Sequence, residues 1–317
     1  MTSLNTYKGM PVPSWFNPRS AEAFHHMDME PSDVIFSSGV KFGTTWMSKI
    51  LHLLLHDNHN KGLSTYPDAL PLDQDDNHKG FTKGRSEEEN KTTFQTLLKQ
   101  EHPRIFTTHL RGKDQLPKQL LGNCDEEGKG KLIVVLRNLK DVMASLHFFN
   151  GEAKDGWLGN EYGPGSFNRF IDEKCPNAFG SCFDWIRETD DIVQMLRNKP
   201  FVKMVAKKQK LDSKESRVLV LYYEQLKSDL PSELERINDF LDLPPLTAAK
   251  KEAVLEKVSF SSMRSEAGKG QEVFYRKGEV GDWKNYLSEE EWKNLFDKTF
   301  EKKLSDVEIA QPLRKYQ

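Results

Sequence analysis

Four short runs, Val34–Ser38, Ile105–His109, Lys131–Asn138 (KLIVVLRN) and Arg217–Tyr223 (RVLVLYY), set the strongest limit on how this chain can fold. Lys131–Asn138 is the clearest, a continuous apolar stretch of the kind that forms a strand buried on both faces. Between the runs the hydrophobic period changes. Thr44–His56 carries Met47, Ile50, Leu51 and Leu54 at helical spacing, and a second helical stretch, Lys140–Phe149, follows the third run directly. Strands alternating with helices predict βαβ units and therefore a parallel sheet. The expected class is α/β: a single domain with a central parallel β-sheet flanked by helices.

The rest of the chain reads around that frame. Asp57–Arg104 is irregular, with a polar, turn-rich centre and one short helix after it. Ser181–Arg197 reads as a helix. The Lys-rich FVKMVAKKQKLDSKES follows, and its cluster Lys207, Lys208 and Lys210 reads as a solvated face. Two helices, Ser232–Leu241 and Thr247–Lys257, are split by Pro244-Pro245; Arg264–Trp283 reads as a loop, and Ser288–Leu304 as a last amphipathic helix. No repeat, low-complexity tract or linker interrupts the 317 residues.

Charge narrows the function. The 46 Lys+Arg nearly cancel the 48 Asp+Glu, leaving −2, so no global basic field exists to hold nucleic acid and any anion site must be local. Three cysteines, Cys124, Cys175 and Cys182, make no disulfide framework and fit reduced thiols in a cytoplasmic protein. The start lacks the basic-then-apolar pattern of a signal peptide. Runs such as Met47–Leu55 fall far short of the roughly 20 residues that span a membrane. The sequon Asn90-Lys-Thr has no secretory context.

Three segments carry chemistry. The first strand ends in SSGVKFGTTW, a glycine loop that opens a helix. Such a junction points successive N–H groups at an anion, and the helix dipole adds to the attraction. Lys41 lies inside the loop, and Thr44 and Thr45 can cap the helix while offering hydroxyls to phosphate. The nucleotide-triphosphate loop differs, because there Lys follows the second glycine. A tight strand–helix turn with a surface lysine would look the same. Second, Arg137 ends the clearest strand and Ser145 lies on the next helix, where ligands of α/β sheets gather. Arginine forks suit phosphate, although a structural pair with Asp141 is the competing reading. Third, FYRKGEVGDWK (Phe274–Lys284) packs Arg276 and Lys277 beside Gly278, with Gly281 close behind, a compact cationic loop.

Together these segments resemble the cytosolic sulfotransferase family over most of the chain, from about Pro31 to Leu304. VKFGTTW resembles that family's PKSGTTW loop, and VLRNLKDVMASLHFF its ARNPKDVAVSYYHF segment. RKGEVGDWK matches the RKGxxGDWK signature throughout. The resemblance implies a phosphosulfate loop of P-loop type, residues 1–30 as an N-terminal extension and 31–317 as the sulfotransferase domain. It implies 3′-phosphoadenosine 5′-phosphosulfate (PAPS) as donor and adenosine 3′,5′-bisphosphate as product, without a metal. Lys41, Phe42, Gly43, Thr44 and Thr45 would cradle the 5′ side, and Trp46 would stack on adenine. Arg137, Ser145, Arg276, Lys277 and Gly278 would hold the 3′-phosphate. Tyr223 and the Ser259–Met263 stretch, with Phe260, would line the adenosine.

The catalytic base implied is His109, in RIFTTHLRGKDQLP, which resembles the family's KTHLP. An imidazole titrates near operating pH and can take the proton from the hydroxyl (or amine) of a small-molecule acceptor that receives the sulfuryl group, while Lys41 neutralises charge on the leaving oxygen. Alone, a histidine at a strand end is more simply a structural residue. His52, His56 and His59 share a helical spacing but lack a metalloenzyme's carboxylates, and read as a solvated helix end.

Several positions depart from the family. Val40 and Phe42 replace the loop's Pro and Ser, so sulfuryl contacts come from backbone N–H groups. Thr107 stands where a Lys is frequent, Val258 replaces an adenosine-side Thr, and Tyr286-Leu287-Ser288-Glu289 replaces the dimer signature, leaving the oligomeric state open. Acceptor loops are expected at Leu70–Thr93 and Asn150–Phe167. Asp73, Asp75, Asp76, Glu87, Glu88 and Glu89 of the first suggest a polar or cationic acceptor over a phenol or steroid. Two rival readings are an ATP-dependent small-molecule kinase, disfavoured by the loop and by the lack of an acidic Mg²⁺ site, and a nucleotide-binding protein without catalysis.

Overall fold

A computed structural model describes residues 5–56, 66–73, 92–122, 128–152, 178–197, 216–267 and 274–316. In chain order the strands are β1 (Asn5–Tyr7), β2 (Met10–Val12), β3 (Val34–Ser38), β4 (Ile105–Thr108), β5 (Lys131–Leu136) and β6 (Val218–Tyr222). The helices are α1 (Pro18–His25), α2 (Thr44–Leu55), α3 (Phe94–Leu97), α4 (Lys118–Leu121), α5 (Leu139–Glu152), α6 (Cys182–Arg197), α7 (Tyr223–Ser228), α8 (Leu230–Phe240), α9 (Ala248–Lys257), α10 (Phe260–Ser265), α11 (Glu289–Trp292) and α12 (Lys298–Leu304). β3 to β6 form one parallel sheet in the order β4-β3-β5-β6, with Val34 opposite Ile105 and Lys131, and Leu132 opposite Val218.

Alternation along the strands divides the core in two. Val34, Phe36, Ile133, Val135, Leu219 and Leu221 face α2 and α8, meeting Met47, Ile50, Leu51, Leu54, Leu234 and Ile237. Ile35, Phe106, Leu132, Val134, Val218 and Val220 face the other layer, where α1, α5, α6 and the C-terminal helices pack. Covering both faces explains why the strands read as continuous apolar runs.

Three stretches differ from expectation. Residues 5–25, read only as an extension, form the antiparallel β1–β2 hairpin and α1, which Asn17 caps by accepting from the Arg19 and Ser20 N–H groups. The expected loop Arg264–Trp283 begins inside α10, because the Ser259 hydroxyl caps that helix at the Ser262 N–H. The expected helix Ser288–Leu304 starts with a Ser288–Glu291 capping box, and a π-helical turn at Lys293–Asp297 joins α11 to α12. The basic cluster at Lys207, Lys208 and Lys210, the sequon's Asn90, Cys124 and Cys175 lie outside the described residues.

Candidate active site

Strand order fixes where a ligand can sit. β3 connects to β4 on one side and β5 to β6 on the other, so these neighbouring strands part at their carboxyl ends. Such a switch point opens a crevice in an α/β sheet. Here the crevice is a cavity of about 440 Å³.

The loop leaving β3 enters this cavity in left-handed conformations, φ 67° at Lys41 and 106° at Gly43. Gly43 answers two demands at once, since a Cβ there would also stand 2.8 Å from Tyr223 Cδ2. The expected capping by Thr44 and Thr45 does not occur. Gly43 is the N-cap, without a side-chain bond, and Thr44 is already helical, its hydroxyl 2.7 Å from Ser38 Oγ. The first-turn N–H groups of a helix lack intrahelical partners, so this end of α2 suits an anion. Lys41, Gly43, Thr44, Thr45 and Trp46 line the cavity. Phe42 sends its ring the other way, fully buried and edge-on to Trp185 at 5.2 Å, and only its main chain belongs to the loop.

Arg137 follows β5. It donates from Nη1 to the Lys41 carbonyl at 3.1 Å and from Nη2 to the Glu279 carbonyl at 3.3 Å, and its guanidinium lies 4.4 Å from the Tyr223 ring centre. The competing partner Asp141 instead accepts from the Gly281 N–H at 2.7 Å and the Trp283 N–H at 3.1 Å. Ser145, one helix face further on, lines the same cavity. Across it stand Arg276, Lys277 and Gly278. Asp282 gathers both cations, with Arg276 at 2.5 Å and Lys277 at 2.6 Å, and Tyr286 donates to it at 2.8 Å. Burial alone would raise the Asp282 carboxyl; the bonds from Lys277, Tyr286, Asn285 and Arg276 hold it well below the usual carboxylate range. Tyr286, within the stretch that departs from the family's dimer signature, is thus part of the cationic loop's own network.

The cavity continues along Trp46, Tyr223, Ser259, Phe260 and Met263. The Trp46 indole N–H donates to the Val258 carbonyl at 2.9 Å, and its ring meets Tyr223 at 5.4 Å. At the other end, His109 lines the wall with Nδ1 2.7 Å from the Ser38 carbonyl oxygen. A carbonyl only accepts, so Nδ1 carries the proton and Nε2 keeps a lone pair. Burial pushes the imidazole down to about 4, against the Ser38 bond, which raises it.

Residues 31–308 match the family model of the sulfotransferase domain. The chain belongs to the sulfotransferase family. This sulfotransferase is 27% identical over 304 residues to zebrafish (Danio rerio) sulfotransferase 6B1, covering 92% of this chain and 85% of that one. It is 28% identical over 291 residues to human (Homo sapiens) sulfotransferase 2A1, covering 87% and 85%. Its fold is similar to a mouse sulfotransferase complexed with PAP, at TM-score 0.68, 21% identity and full coverage of both chains. It is similar also to a retinol dehydratase in complex with androsterone and PAP, at TM-score 0.62 and 20% identity, covering 96% and 89%.

Every site residue named from the sequence reaches the sulfotransferase cavity except the Phe42 side chain. Sequence reasoning missed an aromatic set on the same walls: Trp15, Tyr66, Phe149, Phe179 and Phe274. The Phe179 and Tyr66 rings lie 4.9 and 5.7 Å from His109, and the Lys41 ammonium lies 4.5 Å over Phe149. Thr107 turns instead to α2, its hydroxyl 3.1 Å from Ser48 Oγ. His52, expected in solvent, is buried among the residues of α2's packed face; His59 lies outside the described residues. Among the described residues no group of His, Cys, Asp and Glu could hold a metal ion, and no Asp or Glu lines the cavity. Asp75, Asp76, Glu87, Glu88, Glu89 and most of Asn150–Phe167 lie outside the described residues.

Proposed function

We propose that this sulfotransferase moves the sulfuryl group of PAPS onto a hydroxyl of a flat, neutral small-molecule acceptor, with His109 as general base. One observation carries this reading: a single cavity joins two cationic anchors to an imidazole of fixed tautomer. The main chain of Lys41–Thr45 and the Thr44 and Thr45 hydroxyls take the 5′ side. Arg137, Ser145, Arg276, Lys277 and Gly278 take the 3′-phosphate; Trp46, Tyr223, Ser259, Phe260 and Met263 take the adenosine. A donor charged at both ends needs two separate anchors.

His109 Nε2 accepts the acceptor's hydroxyl proton as that oxygen bonds to sulfur. The bond from sulfur to the bridging oxygen breaks, and the Lys41 ammonium offsets the charge left on the nucleotide. The products are a sulfate ester and adenosine 3′,5′-bisphosphate. Among the described residues the wall is aromatic and holds no Asp or Glu, which favours a neutral acceptor over the cationic one that the acidic loop suggests. Residues 31–317 form the catalytic domain, and the extension 1–30 lends Trp15 to the acceptor wall. The balanced charge and unpaired cysteine count support a cytoplasmic enzyme without nucleic-acid or membrane partners, and no helix among the described residues is long and apolar enough to cross a membrane.

Thermal unfolding with adenosine 3′,5′-bisphosphate, AMP and ATP tests the donor site. At 100 times its dissociation constant the bisphosphate stabilises the fold by about 2.7 kcal/mol, a shift of a few degrees. A larger shift with ATP overturns the reading. Radiolabelled donor with matched phenols, alcohols and amines then tests the acceptor, and exclusive transfer to amines refutes the neutral-hydroxyl assignment.

A further inference from the structure

We infer that Arg111 is a positioning residue of the acceptor pocket, holding Phe179 against the His109 ring; the inference rests on His109 being the base. Arg111 lies two residues past His109, where the segment KTHLP has its proline, a residue with no side-chain donor.

Arg111 is only 4% exposed, and each part of its fork has a partner. Nε and Nη2 donate to the two Glu188 oxygens on α6 at 3.0 and 3.1 Å. Nη1 donates to the Phe179 carbonyl and lies 3.2 Å from the Met10 sulfur on β2. One guanidinium thus joins the N-terminal hairpin, α6 and the turn between them.

That turn is strained. Phe179 has φ 64°, a left-handed conformation that is costly for a residue bearing a side chain. Both its polar main-chain groups are pinned: the N–H donates to the Pro11 carbonyl at 2.7 Å, and the carbonyl accepts from Arg111. Gly180 follows at φ 75°, and a Cβ there would stand 3.1 Å from Arg111 Nη2, so the turn leaves room for the guanidinium. The conformation aims the Phe179 ring at His109, 4.9 Å away, with Trp15 behind it at 5.7 Å.

Phe179 therefore excludes water from the face of the base and bounds the space from which an acceptor hydroxyl arrives. The other described groups at the imidazole are the Ser38 carbonyl and the Tyr66 ring, with Lys41 on the same cavity; burial depresses the titration and the Ser38 bond opposes it. A lysine at position 111 cannot reproduce three directed bonds from one planar group.

The test compares Arg111→Lys, Glu188→Gln, Phe179→Ala and the double variant Arg111→Lys/Phe179→Ala. Histidine NMR reads the His109 titration, its signal identified by loss in His109→Ala; steady-state kinetics reads acceptor and donor KM separately. Arg111→Lys is expected to keep its circular dichroism and its bisphosphate-induced thermal shift. It should raise the His109 midpoint by about 1 pH unit or more as water reaches the ring, and raise acceptor KM about tenfold with donor KM within about twofold. Glu188→Gln should shift both in the same direction by less. Phe179→Ala should match Arg111→Lys, and the double variant should add nothing, because the arginine acts through that ring. A His109 midpoint unchanged in a folded Arg111→Lys, or additive effects in the double variant, overturns the inference. Wild-type protein that transfers no sulfuryl group, or His109→Ala with full activity, refutes the proposed function instead, and the NMR titration still reads the Arg111 contact.

Discussion

His109 Nδ1 stands 2.7 Å from the main-chain oxygen of Ser38, the last residue of the strand that delivers the phosphate loop. One strand end therefore sets both the tautomer of the imidazole and the start of the anion site. Burial lowers this histidine to about 4, so the proposed base is unprotonated over most of the working range. The expected kcat/KM is flat from pH 7 to about 5 and falls about tenfold per pH unit once the imidazole is protonated. His109→Gln should lower kcat by about 10²–10⁴-fold with the bisphosphate still bound. A rate that already falls below pH 6.5 would show that the imidazole is solvated in the free enzyme.

Gly43→Ala is expected to abolish the bisphosphate-induced thermal shift and to destabilise the protein by about 1–3 kcal/mol. The substitution meets φ 106° and the Tyr223 ring together. Gly9→Ala supplies the comparison, because Gly9 has φ 79° with no atom within 4 Å of its would-be Cβ. It should lose stability by strain alone and keep nucleotide binding. Equal nucleotide affinity in the two variants would mean that the close approach to Tyr223 is irrelevant to the site.

Arg137→Lys tests the double reach of the guanidinium to the Lys41 and Glu279 carbonyls. A single ammonium keeps one of these at most. Loss of a charge-assisted bond of about 2 kcal/mol corresponds to roughly 30-fold weaker bisphosphate binding by calorimetry. Undiminished affinity would remove Arg137 from the proposed 3′-phosphate anchor.

Asp68 gives the chain a pH dependence of its own. Its carboxyl is fully buried, accepts from the Thr108 hydroxyl at 3.3 Å and is pushed up to about 7 by burial. Between the ordinary value near 4 and about 7 the folded protein holds a proton that the unfolded chain has released, so this group's support is lost as pH rises through that window. His109 acts with the opposite sign, its support being lost as pH falls from about 6.5 towards 4. In Asp68→Asn the histidine contribution is unchanged and cancels from the comparison. The variant's stability relative to wild type should therefore rise between pH 5 and pH 8, read as the difference in urea midpoints. A difference independent of pH would mean that the carboxyl stays ionised when buried.

The four strands of the main sheet were legible almost to the residue, because Lys131–Leu136 and Val218–Tyr222 are apolar on both faces and nothing else accommodates such runs. The β1–β2 hairpin was not, since three residues per strand are too few for a period to declare itself. That Lys41, Arg137, Arg276, Lys277 and Gly278 share one cavity was readable, because Arg, Lys and Gly at close spacing are what a phosphate site would demand. The aromatic wall was not: Trp15, Tyr66 and Phe179 come from three unrelated irregular segments, and an aromatic residue is a core residue until packing says otherwise. Phe42 shows the same limit in reverse. The loop pattern located it, but only tertiary packing against Trp185 could say that its ring leaves the cavity.

The carboxylate of Asp141 reaches the N–H groups of Gly281 and Trp283, 140 and 142 residues further along the chain. A nascent chain on the ribosome can therefore complete its sheet with Tyr222 and still have no finished nucleotide site. Roughly sixty more residues must emerge before the RKG loop docks, so donor can stabilise only the nearly finished protein and offers no rescue to chains that stall earlier.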